Sequence, residues 1–399
     1  MFCRSSDRFW GQMMTFKLTP GMPARYLVQA LLAAALALCS MSALARDIVV
    51  AQTLDLSGLS SLGKDFSNGI RTYFDAVNAR GGVRGRRIQF VQLDDAGRAA
   101  DAATNVEKLL AENEVDVLIA PTSEETLLAA ASAPRVRASA VTLLGAPTGA
   151  DLDRARIASR VLPVRATYRD EARVLLDMLK TFSEGAVALV RGDGPDANAC
   201  ALALREEARA RNLTFAFDGT AQQWQQLKPA QFAALGKAAS GAGKTAVPSF
   251  GAVIVAGDAL GVAPVVQHAR RILPLAPLLG FSTVDHRTLA ELAGGAAKGM
   301  MITQTVPPPG KTIHPFQREH RNLMKQYRDE PPSQHTLEGY VVAKLLVAAL
   351  ERVDGEPTAP KVSAALRASP VLDFGPMRVG GSSRYVDITA ISARGGLVE

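Results

Sequence analysis

From residue 47 to residue 305, short apolar runs alternate with longer segments whose apolar residues recur at helical spacing. "DIVVAQTL" (47–54), "RIQFVQL" (87–93), "VDVLIA" (115–120) and "AVTLLGA" (140–146) are strand-like. Between them Phe66, Ile70, Tyr73, Phe74 and Val77 share one helical face, and segments 99–113 and 124–135 carry the next two helices. Such alternation with short connections predicts a parallel sheet covered by helices on both faces. A second run follows: a helix within 161–182, strand 186–190, helix 197–211, strand 213–217, a helix near 228–239, strand 252–256, helix 262–272 and strand 277–281. Two such runs predict two α/β lobes of similar build, and 399 residues is too long for one ordinary core. After strand 299–305 come helices 314–328, 336–353 and 359–368. "VLDFGPMRVGG" and "RYVDITAISARGG" are then expected to be two antiparallel strands around a turn.

Residues 1–45 stand apart. Arg4, Asp7, Arg8, Lys17 and Arg25 give the first 25 residues a net charge of +3, the apolar run 27–41 follows, and "ALA" closes at 43–45. That order is expected to be a secretory signal peptide cut after Ala45, and the apolar run is shorter than the roughly 20 residues that span a bilayer. Met13, Met14 and Met22 are alternative starts, and Cys39, preceded by Leu38, leaves lipoprotein processing as a minor alternative. Export to the periplasm follows from this reading. The exported part keeps one cysteine, Cys200, so its stability has to come from a core rather than from a disulfide. Its charge of about +4 is mild and signals no polyanionic partner.

Sites for chemistry are weakly marked. "NARGGVRGRR" (78–87) occurs once, between a periodic helix and a strand, so it reads as a tight turn rather than a nucleic-acid-binding RGG arm. "GAGKT" (241–245) lacks the upstream Gly of a phosphate loop, with Ala238 in its place, and Pro248 stands where a helix is needed. No G-x-G-x-x-G follows the first strand, and "GLSSLG" (58–63) is not a nucleophile elbow. His268, His286, His314, His320 and His335 form no i,i+4 pair, so a zinc site is not expected. Asp94 and Asp95 are adjacent and would point to opposite faces of a strand; Asp95 is placed to cap the next helix. No catalytic residue, metal or cofactor is expected.

The order strand, S-G loop, L-G, amphipathic helix, "NARGGVRG" turn and strand ending in "DD" (48–95) resembles the start of the leucine/isoleucine/valine-binding family. These are solute-binding proteins of ABC transporters with the type 1 periplasmic fold. "LLGAPTGADL" (143–152), "VRATYRDEA" (164–172) and "LEGYVVAKLLVAAL" (337–350) extend the resemblance over essentially the whole exported chain. It implies two Rossmann-like lobes with parallel sheets flanked by helices, joined by three hinge crossings. Lobe I would be 46–163 plus 303–380, and lobe II 164–302 plus 381–399. It also implies a small polar ligand, amino-acid-like or a carboxylate, held between lobes that close on it, and a monomer that delivers it to an ABC permease at the inner membrane. An extracytoplasmic sensing module is the alternative.

Residue by residue, the resemblance puts Ser123 or Thr126 of "PTSEET" at a carboxylate-binding hydroxyl position. Ala146, through its backbone, and Thr148, through its hydroxyl, take the second contact, and Leu62 falls where relatives often carry a larger side chain over the ligand. Helix N-termini attract anions without a formal charge, but Ser123 and Thr148 also fit as plain helix caps. In the second lobe Asp196 stands where relatives carry Tyr, and the region of Asp258 has lost another ring. Either aspartate contacts a ligand ammonium or both are solvated loop residues. Glu124 and Glu125 are unusual beside a carboxylate site.

Overall fold

The first sheet is built around β1 (Ile48–Leu54), whose seven residues are all buried, as expected of a central strand covered on both faces. It pairs in parallel with β2 (Ile88–Asp94), Ile48 opposite Ile88, and on its other side with β3 (Val117–Ile119), Val50 opposite Val117. Strands β4 (Leu143–Leu144) and β5 (Val161–Leu162) complete the order β2-β1-β3-β4-β5. This is a computed structural model that describes residues 46–58, 61–149, 151–152, 156–182, 185–194, 196–239, 250–310, 313–368, 372–379 and 385–398. The expected leader, its cleavage site, Cys39 and the "GAGKT" stretch lie outside the described residues.

The second sheet repeats the plan. Strands β6 (Ala186–Arg191), β7 (Phe217–Thr220), β8 (Phe250–Ala256), β9 (Leu278–Gly280) and β10 (Met301–Gln304) are parallel. β11 (Leu372–Asp373) and β12 (Arg378–Val379) form a small hairpin of their own, and β13 (Asp387–Ala390) joins the second sheet antiparallel to β10. The order is therefore β7-β6-β8-β9-β10-β13. The two terminal segments consequently do not pair with each other, contrary to the sequence expectation. The Gly375–Pro376 turn lies inside the first segment and folds it on itself.

Helices α1 (Leu62–Ala79), α2 (Ala99–Glu112), α3 (Glu124–Ser132) and α4 (Pro134–Ala138) connect the first five strands. Pro134 lacks an N–H and breaks the expected helix 124–135 into α3 and α4. In the second sheet lie α5 (Tyr168–Phe182), α6 (Ala197–Ala210), α7 (Ala221–Gln226), α8 (Pro229–Ala239), α9 (Ala259–Ile272) and α10 (His286–Ala293). Helix α7 was not expected. A reciprocal cap between Thr220 and Gln223 starts it, and it buries Trp224 among Phe217, Phe232 and Phe250. Finally α11 (Pro315–Tyr327), α12 (Gln334–Leu350) and α13 (Ala359–Arg367) return to the first sheet.

Each sheet has an apolar core on both faces. Val50, Phe66, Ile70, Val117 and Leu346 lie in one cluster of the first sheet, and Ala51, Leu118, Leu127 and Leu143 in the other. In the second sheet Val253, Val255, Val262 and Trp224 share one cluster, and Leu175, Leu189, Ile254 and Phe281 the other. Each fully buried Val, Leu, Ile or Phe contributes about 1.5–3 kcal/mol, so four such layers hold two lobes without a disulfide.

The chain crosses between sheets three times: from Leu162 to Tyr168, from Gln304 to Pro315, and from Val379 to Asp387. β10 runs on to Gln304, so residues 303 and 304 complete a strand of the second sheet. The arginine-rich turn joins α1 to β2 as expected. Gly81 and Gly82 have φ of 98° and 74°, and a Cβ on Gly82 would lie 2.0 Å from the Arg86 carbonyl oxygen. Arg80, Arg84 and Arg87 are exposed there.

Candidate functional site

In both sheets the strand order reverses beside the first strand: β1 sends the chain to β2 on one side and then to β3 on the other, and β6 does the same with β7 and β8. At such a switch point the connections leave in opposite directions and open a crevice at the carboxyl ends of the strands, where open α/β sheets bind ligands. Here the crevice-forming residues are 120–123 in the first lobe, and 192–194, Asp196 and 257–258 in the second. Ser123, Asp196 and Asp258 lie on them.

Ser123 is the N-cap of α3. Its Oγ accepts from Thr126 N–H at 3.2 Å, and its own N–H donates to Thr126 Oγ1 at 3.2 Å. Both hydroxyls therefore close a capping box. The N–H of Glu124, in the first turn, points across the crevice and donates to Asp196 Oδ1 at 3.0 Å. Thr148 Oγ1 donates to the same oxygen at 3.1 Å and lies 3.0 Å from the Tyr168 hydroxyl. Glu124 N–H and Thr148 thus form an anion cradle on the first lobe, filled by a carboxylate of the second. Burial pushes the Asp196 carboxyl above its ordinary pKa, although the Glu124 and Thr148 bonds pull the other way.

The remaining expected residues are more dispersed. Asp258 caps α9 by accepting from Gly261 N–H at 2.9 Å, and burial raises its pKa. Leu62 is half-buried as the first residue of α1, and Ala146 is buried just past β4. Asp95 does not cap α2, whose N-cap is Arg98. Instead it accepts from Thr53 Oγ1 at 2.9 Å and Gly97 N–H at 3.0 Å, tying the ends of β1 and β2 together.

The structure adds groups that sequence reasoning missed. Arg165, in the first crossing, donates to the Pro147 carbonyl at 2.6 Å, to Glu171 at 3.2 Å and to Ser282 Oγ, and lies 3.7 Å from Glu338. Glu171 also accepts from Ser282 N–H at 2.9 Å and from Thr303 Oγ1. Burial would lower the Arg165 pKa, but Glu338 and Glu171 outweigh it and hold the guanidinium charged. A cavity of about 430 Å³ opens beside this crossing, lined among others by Glu124, Thr148, Arg165 and Tyr168. That size lies within the range of small-molecule sites.

Beyond Glu338 the same band of polar groups continues. Helix α12 is buried on all sides, 15 of its 17 residues, yet its N-terminal end carries Gln334, His335 and Glu338. His335 Nε2 lies 3.9 Å from Asp285 Oδ2, and Arg287 lies 3.8 Å from Asp65 Oδ2. Several buried atoms here have no hydrogen-bond partner: Asp65 Oδ2, Asp285 Oδ2, His286 Nδ1, His335 Nε2 and both amide atoms of Gln334. An unsatisfied buried polar group costs about 1–3 kcal/mol, so such a cluster marks a place for something the fold alone does not supply. Desolvation pushes Asp65 above the usual carboxylate range. Burial drives His286 down to about 4, so it is neutral at physiological pH. Desolvation also acts on Asp285, but the neighbouring His335 and the Thr288 N–H bring its carboxyl below the ordinary value. Among the described residues no group of three or more His, Cys, Asp or Glu is placed to hold a metal ion.

Residues 47–385 match the family described as periplasmic binding protein. The chain belongs to that family. It is similar to a possible leucine/isoleucine/valine-binding protein from Rhodopirellula baltica, with 23% identity and a TM-score of 0.75 over 89% of this chain and 96% of the other. An ABC transporter substrate-binding protein from Desulfitobacterium hafniense, in complex with Leu, aligns at 17% identity and TM-score 0.70 over 88% and 99% of the two chains. A fatty acid ABC transporter substrate-binding protein from Thermomonospora curvata aligns at 21% and 0.71 over 88% and 91%. At these identities the solved structures establish the type 1 periplasmic fold. Among curated proteins no sequence matches. Members of the family are solute-binding proteins with an extracytoplasmic location, and no helix among the described residues is long and apolar enough to cross a membrane.

Proposed function

We propose that this chain is a periplasmic, non-enzymatic solute receptor. It captures a small polar, amino-acid-like molecule between its lobes and presents the closed form, as a monomer, to an ABC permease at the inner membrane. The lobes would be those expected above, 46–163 with 303–380 and 164–302 with 381–399, except that residues 303 and 304 go with the second lobe, whose strand they complete, and export would remove the first 45 residues. The observation that carries the reading is the buried polar band between the lobes, whose unpartnered atoms come from α1, α10, α12 and the loop before α10. Groups from both lobes gain partners together only when a ligand lies between them, so ligand binding favours closure by its differential affinity for the closed form. Ser123, Thr126, Ala146, Thr148, Leu62, Asp196 and Asp258 are proposed to border this cleft. Asp65, Asp285, Gln334 and His335 are added to them.

The test is a thermal-shift screen of amino acids, amines, small carboxylates and sugars, since a ligand that binds only the folded state raises its stability by mass action. At 100 times the Kd the stabilisation is about 2.7 kcal/mol. A hit whose shift collapses in Asp285→Ala supports the reading; a screen in which no small solute shifts the melting temperature contradicts it.

A further inference from the structure

The cleft's own charges narrow the ligand class, an inference that rests on the solute-receptor reading. We propose that the cleft takes a cation without a free carboxylate, an alkylamine or alkylguanidine.

The first observation is the occupied cradle. The Glu124 N–H and Thr148 hydroxyl, which would recognise a carboxylate, both donate to Asp196 Oδ1, and Asp196 is only 7% exposed. A ligand carboxylate would have to expel a tethered competitor and then sit beside its displaced charge. Like charges sharing one buried site disfavour each other's ionised forms.

The second observation is the charge count of the band. Asp65, Glu171, Asp196, Asp285 and Glu338 are all buried carboxyl groups. Facing them are the guanidiniums of Arg165 and the partly exposed Arg287, with the imidazoles of His335 and His286. The carboxyl groups outnumber the guanidiniums and imidazoles that face them. Buried charge without a counter-charge is strongly disfavoured; burial already favours the neutral forms of Asp65 and Asp196, and a bound cation would offset the carboxylates that stay ionised.

The third observation is which atoms are unsatisfied. Asp65 Oδ2 and Asp285 Oδ2 belong to different lobes, and both acceptors lack a hydrogen-bond partner, while the donors Gln334 Nε2 and Arg165 Nε of the same band also lack one. The two carboxylates belong to residues at least nine-tenths buried. An ammonium or guanidinium supplies several N–H donors and a positive charge to the same point. Recognition through both lobes would also couple the cation to closure.

Matched pairs that differ by one carboxylate test this: agmatine against arginine, and putrescine against ornithine, titrated calorimetrically at neutral pH. The expected result is that at least one amine binds, at least about ten-fold tighter than its carboxylated counterpart. In Asp196→Ala, which empties the cradle, that preference shrinks by about ten-fold as the carboxylated partner gains affinity. Asp65→Asn and Asp285→Asn each weaken the amine, and Asp65→Asn, which removes a carboxyl that burial disfavours, leaves the melting temperature of the unliganded protein unchanged or higher. Tighter binding of arginine or ornithine, or no heat from either amine at millimolar concentration, overturns the inference. If the broader screen then finds a carboxylate or neutral ligand, the solute-receptor reading stands without this one; if it finds none, both fall.

Discussion

His286 and His320 are buried bases held neutral, each with its pKa driven to about 4 by desolvation. An unfolded histidine takes up its proton near pH 6.5, so on acidification the unfolded chain is protonated first. Their stabilising contribution is complete above about pH 6.5 and drains away as the pH falls towards 4, by up to roughly 3 kcal/mol each. Asp65 and Asp196, with raised pKa values, act in the opposite direction. Melting temperatures recorded from about pH 7.5 to about pH 5 are therefore expected to fall, and to fall less in His320→Met. A flat profile in the parent protein would contradict this description of the two sites. Individual residue roles were the hardest thing to read in advance. Ser123 and Thr148 were legible as a cap or an anion contact, and the fold uses Ser123 as a cap and Thr148 as a donor to Asp196. Arg165 and Glu171 could not be connected with Ser282, Thr303 and Glu338 from spacing, because segment 165–171 lies more than a hundred residues from all three. One local signal was available: "SQHTLEG" (333–339) puts a polar first turn on an otherwise apolar helix, and a buried polar turn is a functional hint.

Among the elements, α1 and α12 pack through a glycine on each helix. A Cβ at Gly69 would lie 2.0 Å from the Thr336 carbonyl oxygen, and one at Gly339 would lie 2.1 Å from that of Phe66. Both obstacles are backbone, so an added methyl has to push the helices apart and with them the first turn of α12 that carries His335. Gly69→Ala and Gly339→Ala are each expected to lose about 2 kcal/mol or more by chemical denaturation. At Gly295 a Cβ meets nothing, and Gly295→Ala should be near neutral. Equal effects at the three positions would rule out this account of the helix pair. Elements with strong periodicity, such as β1, α2, α9 and α12, were read to within a few residues. Those whose limits depend on tertiary pairing were not. β4 shrinks to Leu143–Leu144 because only that part meets β3 and β5. β13 finds β10 rather than its sequence neighbour.

For the whole molecule, two sheets of the same strand order face each other's switch points across three crossings, and the groups between them belong partly to each lobe. Alternation alone predicted the two sheets, whereas the interlobe band depends on the way the chain returns to its first lobe after β10. Cross-lobe contacts such as Glu124 to Asp196 and Arg287 to the Pro332 carbonyl, 3.0 Å apart, describe a conformation in which the lobes touch. The surplus of buried carboxyl groups makes that conformation costly without a partner between them. Small-angle X-ray scattering, on protein with and without a saturating amount of the solute that raises its melting temperature most, tests this directly. The account predicts a larger radius of gyration without solute and contraction when the cleft is filled. An identical radius in both conditions, with binding confirmed in the same samples, would contradict closure of two lobes on a captured solute.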